Sequence, residues 1–109
     1  MIQAEFKKNS QNDYISFEMK GHADAGPYGY DIVCAACSAL SVNAVNSLEQ
    51  LANYQPIVEV SDGYLYFEVI SELSSEQQGI TNLLIESLVI GLQSIEDDNQ
   101  KFIKVITTI

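Results

Sequence analysis

The stretch Gly21-His22-Ala23-Asp24-Ala25-Gly26-Pro27-Tyr28-Gly29-Tyr30-Asp31-Ile32-Val33-Cys34-Ala35-Ala36-Cys37-Ser38 decides how this chain is read. Before it, Ile15, Phe17 and Met19 alternate with Ser16, Glu18 and Lys20, the period of a half-buried strand. After it, Cys37, Leu40, Ala44, Leu48, Leu51 and Ala52 recur mostly at spacings of three and four, so they share one helical face. The segment from Gly21 to Tyr30 is polar and glycine-rich, and is expected to be a loop from strand end to helix start. Asp31 is then the expected N-cap, with Cys34 in the first turn. Pro56 marks the helix as finished.

Working outward, Ile2-Gln3-Ala4-Glu5-Phe6-Lys7 also alternates at period two, and Asn9 to Asp13 is turn chemistry, which makes a first hairpin. Ile57 to Val60 and Tyr64 to Ile70 flank Ser61-Asp62-Gly63, and Asp-Gly between β-rich runs signals a second hairpin. Ser75-Glu76-Gln77-Gln78 fits a capping box with Ser75 as cap and Gln78 as its partner. Ile80, Leu83, Leu84, Leu88, Leu92 and Ile95 then outline a second amphipathic helix. Gly91 within it costs helix stability unless a neighbour packs closely there. Phe102 to Ile109 is rich in β-branched residues and reads as a last strand. The order ββαββαβ, with one apolar stripe per helix, predicts a single α+β domain over residues 1–109. It is a two-layer α/β sandwich, with two helices on one face of a mainly antiparallel sheet. Leu40, Leu48, Val58, Phe67, Leu84 and Leu88 are expected in its core.

With 109 residues the chain is long enough to bury a core without staples. Its formal charge of −10 argues against nucleic acid or an anionic membrane as a direct partner, and suits a cationic protein or peptide. Two cysteines are no disulfide framework. No basic segment with an apolar core opens the chain, and no apolar run reads as a membrane span, so the cytoplasm is the expected compartment.

The quoted stretch holds the only histidine, both cysteines and three of six glycines. A thiol at a helix N-terminus is favoured as thiolate, and a histidine within reach completes a nucleophile and base pair. Only residues 23 to 33 separate His22 from Cys34. Each residue also has a plainer reading: a lone histidine is commonly structural, and a free cysteine commonly packs as a small hydrophobe. Cys34-Ala35-Ala36-Cys37 resembles the C-x-x-C of thioredoxin-like oxidoreductases. Its preceding strands form a hairpin rather than a βαβ unit, however, and Cys37 falls on the apolar stripe. The zinc deaminase pattern is imitated but not met: Asp24 stands for the expected glutamate and Val33 for the proline. On spacing alone a His22, Cys34 and Cys37 metal site stays open.

Gly21-His22-Ala23, the loop glycines, and Asp31-Ile32-Val33-Cys34-Ala35-Ala36 followed by Ser38 resemble the signature of the ribosomal-processing cysteine protease family (Prp or YsxB-like). Length and element order match over essentially the whole chain. The resemblance maps a catalytic dyad onto His22 and Cys34. It implies a homodimer that trims the N-terminal extension of a basic large-subunit ribosomal protein during ribosome assembly. No cofactor and no metal are expected. Cys37 stands where an aliphatic residue is expected, which keeps a redox reading alive. Backbone N–H groups at the helix start are the expected oxyanion hole. Asp31 is a candidate to orient His22, against its reading as a cap. Gly21, Gly26, Tyr28, Gly29, Tyr30 and Ser38 are candidates to shape the substrate loop. The contrasting classes are a non-catalytic ribosome-associated binding protein and a thiol-disulfide oxidoreductase.

Overall fold

Period-two alternation gives a sheet one apolar and one polar face, and the apolar face must be covered. The computed structural model describes residues 1–21 and 26–109, with the backbone alone for 26–31. Its elements are β1 (Ile2–Lys8), β2 (Tyr14–Lys20), α1 (Gly26–Leu51), β3 (Ile57–Ser61), β4 (Tyr64–Glu68), α2 (Ser75–Asp98) and β5 (Ile103–Thr108). They follow the predicted ββαββαβ order. The strands form one sheet in the order β3-β4-β2-β1-β5. Every neighbouring pair is antiparallel except β1 with β5.

Register puts Phe6 opposite Phe17 and Phe17 opposite Phe67. Their rings stand 4.7 Å and 5.4 Å apart, centroid to centroid, a row of aromatic contacts across three strands. Ala4, Leu65 and Ile103 are buried on the same face. The opposite face carries Gln3, Lys7, Lys20, Glu59 and Lys104 in solvent. Both helices lie on the apolar face and pack against each other. A Cβ at Gly91 would stand 2.9 Å from Leu40 Cδ1, so the glycine lets the two helices approach closely there. Tyr54, just beyond α1, shares a buried 3.0 Å hydrogen bond with Thr81 of α2.

Several boundaries differ from expectation. The helix expected from Asp31 begins at Gly26, so much of the supposed loop belongs to α1. Pro27 in the first turn fits this start, because its missing N–H has no intrahelical partner to lose there. The capping box is real but one residue earlier: Ser74 Oγ accepts from the Gln77 backbone N–H at 3.1 Å, and Gln77 Oε1 accepts from the Ser74 N–H at 3.0 Å. Of the expected core, Leu48, Leu88 and Phe67 are buried, and Leu40 and Leu84 are half-buried at the seam between helices. Val58 is exposed. It pairs with Phe67 on the helix-facing side, but β3 is an edge strand that the helices leave uncovered. Leu83 likewise points outward from α2. The segment Ile32–Leu51 is also long and apolar enough to cross a membrane by length and composition, which the sequence reading had not expected. Here one face of that segment, with Val33, Cys37, Ala44 and Leu48, is buried in the common core.

Candidate active site

The uncovered edge leaves a groove of about 290 Å³ between α1 and the β3–β4 hairpin. Helix α1 supplies one wall with Cys34, Cys37, Ser38 and Val42. The sheet supplies Ile2, Met19 and Gly21, and the hairpin closes the far side with Val60, Asp62, Gly63 and Tyr64. The lining is therefore mostly apolar with a few polar groups, the composition of a ligand site.

Cys34 is half-exposed on this wall, and Cys37 is fully buried one turn along. Both are free thiols. Burial, and secondarily the neighbouring Cys34 charge, pushes the Cys37 thiol up to about 11. Cys37 is thus a poor nucleophile at neutral pH, as its place on the apolar stripe suggested. Ser38, one turn beyond Cys34, presents an exposed hydroxyl in the same groove. Beneath them, Ser41 donates to the Cys37 carbonyl at 2.8 Å, with Met19 Sδ 3.8 Å away.

Gly21 ends β2 at φ +98°, a backbone conformation that side-chain-bearing residues rarely adopt. A Cβ there would collide with the Met1 carbonyl oxygen. Its N–H donates to the Gly63 carbonyl at 3.0 Å, tying the end of β2 to the tip of the β3–β4 hairpin. The chain is therefore redirected at Gly21, immediately before His22.

Gly21, Cys34 and Ser38 thus meet in one groove. His22 and Asp24 lie outside the described residues. Gly26, Tyr28, Gly29, Tyr30 and Asp31 fall within α1, and their side chains are outside the description. Two expectations are corrected. Asp31 does not precede the helix, so it is not its N-cap, and Cys34 stands in the third turn rather than the first. Dipole stabilisation falls off within the first turn, and Cys34 stands beyond it. With α1 beginning two turns earlier, the N–H groups of Cys34 and Ala35 are not helix-start donors. Sequence reasoning missed Val42, Val60, Asp62 and Gly63 as groove residues. The Asp62-Gly63 turn was legible, but its place opposite Cys34 follows from β4 pairing with β2, which local pattern does not encode.

Fold and site together define a small α+β protein with a half-exposed helical thiol in a groove of about 290 Å³. The profile of the family described as "Cysteine protease Prp" matches residues 1–104. The ribosomal processing cysteine protease Prp of Bacillus subtilis is 37% identical, with 100% of this chain and 99% of that one covered. A Streptococcus mutans protein of known structure superposes with a TM-score of 0.85 at 35% identity, covering 100% of this chain and 96% of its own. The S. aureus ribosomal processing protease Prp, solved with a covalently linked product peptide, superposes with a TM-score of 0.84 at 28% identity, covering 98% and 99%. This chain belongs to the Prp family of cysteine proteases.

Proposed function

We propose that this protease removes the N-terminal extension of a basic large-subunit ribosomal protein, with Cys34 as nucleophile and His22 as its base. The observation that carries the reading is Cys34 itself, half-exposed on the wall of the one groove that also holds Gly21 and Ser38. The S. aureus relative solved with a covalently linked product peptide supports a peptide as the ligand. With Cys34 beyond the first turn of α1, activation is assigned to His22. Cys34 sulfur attacks the scissile carbonyl carbon, and its proton passes to the imidazole. The tetrahedral intermediate collapses to a thioester as the protonated imidazole gives that proton to the leaving amine. Water, deprotonated by the same imidazole, then hydrolyses the thioester and frees the thiol. Ser38, one turn from Cys34, is the side-chain donor we place against the peptide. Asp31 is retained as a candidate to orient the imidazole.

The charge of −10 supports a cationic substrate, since opposite charge speeds encounter. Two free thiols accord with a reducing cytoplasm. We further propose a homodimer. Leu40, Asn43, Ser47, Leu84 and Ser87 line a cleft between the helices without formal charge, where two acidic copies can approach. Light scattering at micromolar concentration checks this: a monomer refutes it.

The test of function is incubation with a ribosomal protein carrying its extension, followed by mass spectrometry. A shortened product exceeding the enzyme in amount is expected, and high salt should slow its formation. Cys34→Ala should abolish cleavage, and His22→Ala should lower kcat by roughly a hundredfold or more, the usual worth of a general base. A stoichiometric complex without turnover would replace the protease reading with a binding role.

A further inference from the structure

We propose that Cys34 and Cys37 close into a reversible disulfide when Cys34 meets a hydroperoxide, so that the nucleophile is stored rather than destroyed. The inference rests on the reading of Cys34 as the reactive thiol. The two cysteines share one helix, one groove and a spacing of three residues. Helical rise and radius put their Cα atoms about 5 Å apart, inside the range of roughly 4.4–6.8 Å that disulfides span. Their Cβ atoms, at about 5–6 Å in a regular helix, must approach by about 1–2 Å to reach disulfide distance. Ser41 Oγ donates to the Cys37 carbonyl at 2.8 Å, a back-bond that competes with the helical N–H there and slightly weakens the next turn. A strained bond of this kind is also the readily reduced kind.

The two thiols differ in the way a peroxide switch requires. Cys34 is half-exposed and meets the oxidant first, whereas Cys37 is shut away from solvent and cannot. In the first step the Cys34 thiolate attacks a peroxide oxygen. An S–O bond forms, the O–O bond breaks, and the alcohol or water departs after taking a proton. Sulfur is oxidised by two electrons to the neutral sulfenic acid. The Cys34 charge, the lesser cause holding the Cys37 proton, is then gone; burial still holds that proton, and proximity one turn away carries the attack. In the second step Cys37 sulfur attacks Cys34 sulfur. The S–S bond forms, the S–O bond breaks, and hydroxide leaves with the Cys37 proton as water. A cellular thiol reductant returns both cysteines to thiols by exchange and is itself left as a disulfide. This differs from an oxidoreductase, because no electrons pass to a client protein. Cys37 has a second role here beyond filling core space: a resolving thiol one turn from the nucleophile, competing with irreversible oxidation.

The experiment treats the full chain with a small excess of hydrogen peroxide at neutral pH, followed by intact mass and non-reducing peptide mapping. The expected result is loss of one hydrogen from each thiol and a Cys34–Cys37 link, with cleavage activity returning on addition of dithiothreitol. Cys37→Val, compared with its own untreated activity, should instead gain two or three oxygens on Cys34 and stay inactive. Wild-type protein that gains those oxygens on Cys34 and forms no link overturns the proposal, whatever the variant does. The mass readout does not depend on peptide cleavage. A chain that forms the link, yet cleaves no extended ribosomal protein either before oxidation or after dithiothreitol, keeps this proposal and refutes the substrate assignment.

Discussion

Replacing Gly21 by alanine tests how the fold delivers the chain to His22. At φ +98° a residue with a Cβ is strained by about 1–3 kcal/mol. The added Cβ also meets the Met1 carbonyl oxygen, and the obstacle is backbone, so no side-chain rotation relieves it. Moving the chain aside breaks the 3.0 Å hydrogen bond from Gly21 N–H to the Gly63 carbonyl, which contributes about 1 kcal/mol. Together Gly21→Ala should cost about 2–4 kcal/mol. At about 4–8 °C per kcal/mol for a domain of this size, the melting temperature should fall by about 8–32 °C. Circular dichroism during urea and thermal unfolding measures both. Gly79→Ala is the control: nothing lies within 4 Å of a Cβ there, and α2 should gain up to about 1 kcal/mol. Cleavage should drop further in Gly21→Ala than the unfolded fraction explains, because β2 and the hairpin tip lose their tie beside Cys34. Equal urea midpoints for Gly21→Ala and wild type would show that neither the strain nor the collision exists.

Three further outcomes are expected. In the folded chain at pH 8, a small alkylating reagent should label Cys34 and spare Cys37, which is buried and has about one thiolate per thousand at a pKa near 11; comparable labelling of both would place Cys37 in solvent. Tyr54→Phe should cost about 1–3 kcal/mol by leaving the buried Thr81 hydroxyl without its 3.0 Å partner, and Tyr54→Phe with Thr81→Val should recover part of that in urea unfolding; a neutral single variant would refute the pairing. Tyr14 is raised from its ordinary 10.0 to about 12 by burial, its hydrogen bond to Glu86 and the Glu86 charge. Its contribution to stability is complete below pH 10 and is lost as pH rises through 12, because only the unfolded chain ionises it in that window. Tyr14→Phe should therefore flatten the alkaline decline in stability, and an unchanged slope would count against the shift.

What the sequence determined by itself was everything set by short spacing. Period-two alternation marked the strands, period 3.6 marked the helices, and one apolar stripe per helix was satisfied by both helices on one face of the sheet. Those signals are local, so they survive without knowledge of any partner. The resemblance carried by Gly21 to Ser38 was legible for the same reason, as a pattern within eighteen consecutive residues. Tertiary structure decided the rest. That Val58 is exposed follows from β3 being an edge strand, and strand order is a choice among pairings that look alike in sequence. That Val60 and Gly63 face Cys34 follows from β4 pairing with β2, across more than forty residues of chain. The start of α1 at Gly26 also escaped the pattern, because two glycines and a proline lower helix propensity so strongly that a loop was the natural reading. Local propensity is worth about 1 kcal/mol per residue, and a helix already anchored by the burial of Val33, Cys37, Ala44 and Leu48 can extend against it.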